Sequence, residues 1–516
     1  MSIFRRHWVL CLILLVAGFL RFNELGKLPS GLFMDEAADG VEAAYTAAHH
    51  DYRVFYRSDN GREGLYIFLT SFAVELFGQT PFAVRFWAAM AGLMTCIALY
   101  FLARQWFGNR TALIAIWLLT TSFWHLNFSR LAFRGILLPL FLVLTIILLE
   151  LAWSADDKRA ILVSAAAGTT FGLGFYTYIP FRVVPILVLA FFLSKSWDER
   201  ENWKNKLRST LPAFSIAASI VLLPFFIYFV KNPVAVMVRT SQVALWSGPR
   251  PLQLLLRNVI RCAWMFVGKG DNNWRANLPP FPELIYPVGL FFVVGCVVIW
   301  RSRTQKHQAR MIFAWITVML IPALLTRGGV PHALRSIGSL PAAIFLAAVG
   351  FSWMLEQSRN RRTILFATAV LILAGCADCY RYFVIWRQAP EVAQAFQASQ
   401  NYAAKQATLI PDEIPVIVAF EVQPESSDIY WDPEYYMRVN PDRSRIVVPV
   451  PVPLFHIGQR NNTYFVPLSS LTSEFLQNRG CSGEAMQLQN SISRGQPNSL
   501  ILLSGCSAKV VLFKVS

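Results

Sequence analysis

Carboxylates are scarce in this chain. Against 47 Lys and Arg it holds 30 Asp and Glu, a formal net charge of +17, and charged residues of either sign fill only 15% of its 516 positions. So little charge, with 55% hydrophobic residues and a mean hydropathy of +0.44, excludes a soluble protein with one ordinary core. The surplus of base does not point to nucleic acid, because Lys and Arg are dispersed between apolar runs rather than gathered in one basic domain. No Walker sequence or dinucleotide fingerprint is present, so a soluble nucleotide-type donor has no support. Cysteines are few. Cys11, Cys96, Cys262 and Cys296 stand alone in apolar runs and read as small buried hydrophobes, while the Cys376-x-x-Cys379 pair lacks the second pair that a metal site needs.

What the chain has in abundance is apolar runs long enough for a membrane. By the length that a helix needs to cross the hydrocarbon core, about eleven are predicted: 8–20, 82–102, 111–128, 135–153, 161–178, 181–193, 211–230, 284–300, 311–325, 340–355 and 363–380. Arg5 and Arg6 before the first run resemble a signal peptide, but Arg21, Phe22 and Asn23 follow where small residues of a cleavage site would stand, so an uncleaved span is expected. With the N-terminus inside, the loops at Arg104/Arg110, Lys158/Arg159, 195–208, 301–310 and 359–362 all face the cytoplasm, as the positive-inside rule requires. The outer side then receives segment 28–65, the corners at Arg130/Arg134 and Tyr176/Arg182, the 231–282 loop and the loop of His332 and Arg335. A prokaryotic cytoplasmic membrane is the expected location.

From about Gln388 the composition becomes that of a soluble module. Short strand-like runs (IPVIVAF, RIVVPV, SLILLS, KVVLFKV) predict an extracytoplasmic α/β domain at 388–516, after a transmembrane domain at 1–387. On an oxidising side Cys481 and Cys506 are candidates for a disulfide, worth about 3 kcal/mol in the chain-entropy model. Asn461-Asn462-Thr463 fits a glycosylation sequon, which matters only in a host that glycosylates such sites.

The scarce acids collect in one place. Segment 28–65, after the first run, holds seven of them: Asp35, Glu36, Asp39, Glu42, Asp51, Asp59 and Glu63. Residues 34–50 predict a short Ala-rich helix with Asp35, Asp39 and Glu42 on one face and Glu36 beside them. A carboxylate at such a helix start has two explanations, catalysis or capping of the positive end, and spacing does not choose between them. Nor is that spacing diagnostic for a divalent cation shared by Asp35, Glu36 and Asp39.

The outer corners carry isolated arginines at span ends: Arg62, Arg130, Arg134, Arg182 and Arg335. A guanidinium fork suits bidentate phosphate binding, and it also snorkels readily to lipid headgroups. Acids and phosphate-binding arginines at a membrane surface suit one reaction class, transfer of a group from a lipid phosphate to a hydroxyl or amine. The carboxylate takes the acceptor's proton and the arginines stabilise the leaving phosphate.

Five blocks in order carry a resemblance: PSGLFMDEAADG; NGREGLYIFLTSFAVELFGQTPFAVRFWAAMAGLMTCIALYFLARQWFG; TTSFWHLNFSRLAFRGILLPL; GFYTYIPFRVVP; and GGVPHALRSIGSLPAAIFLAAVG. On these the chain resembles the GT-C class of integral membrane glycosyltransferases, family 39, which includes protein O-mannosyltransferases and aminoarabinose transferases. The resemblance implies a mostly α, polytopic transmembrane bundle and a polyprenyl-phosphate-linked sugar donor. It also implies inverting transfer to a protein, lipid or glycan acceptor on the outer face, with Asp35 as catalytic base and Glu36 as its neighbour. Where the aminoarabinose branch has a Lys-Pro-Pro-Leu-like motif whose lysine touches donor phosphate, this chain has Arg62-Glu63-Gly64-Leu65, which gives Arg62 that role. Arg130, Arg134 and Arg335 are further candidates for the donor phosphate, and Asp39, Glu63, Tyr176, Tyr178, Arg182 and His332 for substrate. Interfacial aromatic belts are the plainer reading of the tyrosines, and a turn role is an equal alternative for His332. No cofactor is expected beyond a possible divalent cation at Asp35 and Glu36.

Two readings from other classes compete. A transporter or flippase of lipid-linked or anionic substrates would also use arginines, but the internal duplication common in transporters is not visible. A scaffold whose outer domain recruits a partner would leave the acids structural.

Overall fold

The computed structural model describes residues 2–57, 61–358, 360–396 and 398, and beyond them the strand segments 416–418, 463–467, 500–503 and 509–513. The chain divides into two compact units, one of Met1–Pro29 and Glu42–Val392, the other of Ser30–Val41 and Ala393–Ser516.

The first unit is helical, and the start of α2 (Met34–His49) and the end of α16 (Pro390–Ala395) belong to the second. In order come α1 (Ser2–Phe22), α2 (Met34–His49), a hairpin of β1 (Phe55–Tyr56) and β2 (Arg62–Glu63), α3 (Leu65–Phe77), α4 (Pro81–Thr121) and α5 (Phe123–Phe128). Then follow α6 (Leu137–Ser154), α7 (Asp157–Gly174), α8 (Val184–Asp198), α9 (Trp203–Lys231), α10 (Pro233–Val243) and α11 (Pro251–Trp264). The set ends with α12 (Tyr286–Arg301), α13 (Lys306–Leu324), α14 (Leu340–Gln357), α15 (Arg361–Tyr380) and the short α16 (Pro390–Ala395).

All eleven expected runs are helical, yet among the described residues only seven helices are long and apolar enough to cross a membrane by length and composition. The difference has identifiable sources. Two of the expected runs are the two helical arms of α4, broken at Gly108, the first beginning under a Thr80 cap with Pro81 in its first turn. At Gly108 the backbone takes φ 81°, a region open to glycine, and the helix doubles back so that Cys96 Sγ and Thr120 Oγ1 lie 3.9 Å apart. Two more runs, Trp8–Phe22 and Tyr286–Arg301, are apolar helices of shorter length. The last, α7, is helical but less apolar. The expected 231–282 loop is largely helical too, each of α10 and α11 starting with proline, whose fixed φ suits a first turn.

Glycines let the helices approach closely, the usual route to packing where lipid removes the hydrophobic drive. A Cβ on Gly295 of α12 would stand 1.8 Å from Leu346 O of α14, and one on Gly350 of α14 would stand 2.1 Å from Phe291 O of α12. Gly168 of α7 meets Phe214 O of α9 in the same way, at 2.1 Å.

In the second unit four strands form one sheet: β3 (Val416–Val418), β4 (Thr463–Pro467), β5 (Leu500–Leu503) and β6 (Lys509–Phe513), in the order β3-β4-β6-β5. The first two pairings are parallel and β5 runs antiparallel to β6. Strand β4 was not expected from the sequence. The RIVVPV run, Cys481, Cys506, Asn461 and Asn462 lie outside the described residues, as does Asp59.

Candidate functional site

The approach to the acidic segment is built from arginines. Arg130, fully buried, donates from Nη1 to Leu20 O at 2.7 Å and Arg21 O at 3.0 Å, and from Nη2 to Leu28 O at 3.3 Å. Arg85, also fully buried, donates to Pro29 O at 3.0 Å and Leu25 O at 3.4 Å. The last carbonyls of α1 have no partner within the helix and carry the negative end of its dipole, which is what Arg130 satisfies, while Arg85 holds the turn that follows. Arg130 was a candidate phosphate ligand by sequence. In the structure it donates to the end of α1, and together with Arg85 it pins the main chain of residues 20–29. Nothing in the sequence singled out Arg85 beyond its being a lone charge in the apolar run AVRFWAAM.

Beyond Pro29 the chain enters α2. Phe33 is the residue before its first turn, and Glu36 reaches back to accept Phe33 N–H at 3.0 Å, the carboxylate half of a capping box. Capping therefore falls to Glu36, and Asp35 is left with a different position. Asp35 is half-buried, and among the described residues its carboxylate has no hydrogen bond or ion pair. Glu36 and Asp39 are buried.

The hairpin places the next acid. Arg62 and Glu63 pair with Tyr56 and Phe55, between Gly61 at φ 89° and Gly64, where a Cβ would meet Arg53 O at 2.1 Å. Both charged residues of β2 are fully buried. Glu63 Oε2 accepts from Arg134 Nε at 3.0 Å, and Oε1 accepts from Arg182 Nη2 at 3.2 Å. Arg134 opens the short turn before α6, its guanidinium 5.6 Å from the Tyr178 ring centre; Arg182 lies in the turn before α8, 5.8 Å from that of Phe225. Four of the sequence-derived candidates (Glu63, Arg134, Tyr178, Arg182) thus converge from three separate segments. Two guanidiniums share this one carboxylate.

Tyr176 does not join them. Its hydroxyl donates to Val221 O at 2.7 Å and accepts from Phe225 N–H at 3.2 Å, splicing itself into the α9 ladder beside Pro224. The hydroxyl thus bridges the bend of α9.

His332 and Arg335 stand on the 326–336 loop, and that loop hangs on an acid the sequence reading passed over. Asp271 Oδ2 accepts Ala333 N–H at 2.9 Å and lies 3.9 Å from His332 Nδ1, while Trp124 Nε1 donates to Ala333 O at 3.1 Å. Asp271 N–H in turn donates to Glu283 Oε1 at 2.9 Å. Burial pushes the Asp271 carboxyl above its usual range, and burial with the neighbouring Asp271 charge pushes Glu283 well above its own. Arg335 reaches Gly328 O at 3.4 Å. Isolated acids in a long polar loop were the only signal of this scaffold.

Among the described residues, which include Asp35, Glu36 and Asp39, no three or more His, Cys, Asp or Glu gather as metal ligands would. The Asp35, Glu36 and Asp39 carboxylates thus form no such group.

Residues 65–241, roughly a third of the chain, match the family described as dolichyl-phosphate-mannose-protein mannosyltransferase. In structure the chain is similar to ArnT from Cupriavidus metallidurans bound to undecaprenyl phosphate, with 98% of each chain covered, a TM-score of 0.56 and 14% identity. It is also similar to the Archaeoglobus fulgidus oligosaccharyltransferase tethered to an acceptor peptide, over 87% of this chain and 65% of that one, with a TM-score of 0.51 and 15% identity. No curated protein matches its sequence. By fold over nearly its whole length, and by sequence over residues 65–241, the chain resembles the GT-C class of integral membrane glycosyltransferases to which its loop motifs point.

Proposed function

We propose that this protein is an inverting glycosyltransferase that moves a sugar from a polyprenyl-phosphate donor to a hydroxyl or amine of a protein, lipid or glycan acceptor on the outer face of the membrane. The observation that carries the reading is the division of labour on α2: Glu36 holds the helix start, which leaves the half-exposed Asp35 carboxylate unspent, as a general base must be. Asp35 takes the acceptor's proton as the acceptor oxygen or nitrogen bonds to the anomeric carbon. The bond from that carbon to the phosphate oxygen breaks on the opposite face, and polyprenyl phosphate departs with the electron pair. Arg134 and Arg182, with Arg62 in the adjoining strand position, supply positive charge for the leaving phosphate, and His332 and Arg335 contribute from the second loop. The match of residues 65–241 to a mannosyltransferase family supports the sugar chemistry, and the undecaprenyl phosphate in the similar ArnT structure supports the lipid carrier.

The test is transfer of radiolabelled sugar from a panel of polyprenyl-phosphate sugars in membranes holding the wild type or Asp35→Asn, with and without chelator. Loss of general-base catalysis is expected to lower transfer by about 10²- to 10⁴-fold in the variant. Absence of transfer from every donor by folded wild type overturns the reading, and normal transfer by Asp35→Asn overturns the assignment of the base. Chelator sensitivity decides whether a cation takes part.

A further inference from the structure

A groove of about 770 Å³ lies between α4 and α6, within the size range of small-molecule sites. Its walls are two helix faces. Ile97 and Phe101 of α4, at residue spacings of one helical face, oppose Leu144 and Leu151 of α6. Both helices are long and apolar enough to span a membrane, so the occupant these walls fit is hydrocarbon. One end of the groove differs. There Arg104 and Gln105 line it, just before α4 turns back at Gly108, the end that the charge pattern places at the cytoplasmic surface. Arg104 is exposed and has no hydrogen bond or ion pair among the described residues. The nearest acid in sequence on α6, Glu150, is buried and bound to Lys195 and His307 at 2.7 Å each, so its charge is already met.

We propose that this groove binds an anionic glycerophospholipid of the membrane, one acyl chain along the α4 and α6 faces and the phosphate on the Arg104 fork with the Gln105 amide beside it. Apolar walls alone would accept any lipid chain. The choice of an anionic lipid rests on the unpaired guanidinium at the headgroup end, whose planar fork matches a phosphate in two places. The site is separate from the outer-face residues of the proposed reaction, and it stands or falls without them.

The experiment is native mass spectrometry of the full chain in detergent, titrated with phosphatidylglycerol and with phosphatidylcholine. Wild type is expected to prefer phosphatidylglycerol. Arg104→Gln is expected to lower that preference about fivefold while leaving phosphatidylcholine binding unchanged, the effect of one arginine near an anionic headgroup. Leu144→Trp, or the more exposed Ile97→Trp should the first fail to fold, fills the groove and is expected to weaken both lipids. An unchanged preference in Arg104→Gln, or unchanged lipid binding in a folded tryptophan variant, overturns the proposal.

Discussion

Glu63→Gln tests the corner where three separate segments meet. The carboxylate is fully buried, and its partners Arg134 and Arg182 keep 14% and 22% of their side-chain surface exposed. Removing one member of a buried ion pair costs about 3–5 kcal/mol, mainly because the remaining charge loses its compensation. Here the arginines retain some water, and Gln preserves the shape and one acceptor, so a loss of about 2–3 kcal/mol is expected on that scale. The assay is equilibrium unfolding of the detergent-solubilised protein for Glu63→Gln, Arg134→Gln and the double variant, then the same cycle with Arg182→Gln. Direct pairs of this kind should couple by about 0.5–3 kcal/mol, so each double variant should be less destabilised than its singles sum to. A single-variant loss below about 0.5 kcal/mol, or cycles additive within about 0.3–0.5 kcal/mol, would refute the claim that Glu63 organises the arginines.

Two further outcomes are expected. Arg130→Gln removes the buried donors that cap α1 and should destabilise the protein by about 1–3 kcal/mol, the cost of stranding buried acceptors; unchanged unfolding would count against that capping role and leave the phosphate role that the sequence suggested for Arg130. Glu283 holds its proton more tightly in the fold than in the unfolded chain, so its contribution is fully present at low pH and is lost as pH rises from the ordinary glutamate range through its raised value. Asp271 shifts in the same direction, against the opposing charges of Arg275 and Arg335, and Arg381 opposes the shift of Glu283. Hydrogen exchange across residues 265–285 should therefore quicken as pH rises once intrinsic rates are divided out, and Glu283→Gln should flatten that trend; an equal slope in both proteins would count against a tightly held proton.

Much of the candidate site was legible as residue type and little of it as role. Asp35 and Glu36 look equivalent in the sequence, since either suits the first turn of a helix; the reach of Glu36 to Phe33 N–H separates them. Arg62, Arg130, Arg134, Arg182 and Arg335 likewise read as one set. Tyr176 was read as an interfacial aromatic because a hydroxyl inserted into a helix 45 residues away leaves no local pattern. Asp271 and Glu283 were passed over because their partners, Ala333 and each other, lie across a loop with no periodicity to align them.

The sequence by itself determined that this is a helical membrane protein, where its long apolar helices run, and where its acids and arginines collect. Those are local properties: in hydrocarbon every backbone group must be satisfied within its own helix, so an apolar run of sufficient length specifies its structure without reference to the rest of the chain. Only the tertiary structure decided that Arg130 serves the end of α1 and Arg85 the turn after it, while Arg134 and Arg182 turn to Glu63. All four guanidiniums are chemically the same, and what distinguishes them is which carbonyl or carboxylate a distant segment brings within 2.7 to 3.4 Å, a quantity set by the packing of helices and absent from any window of sequence.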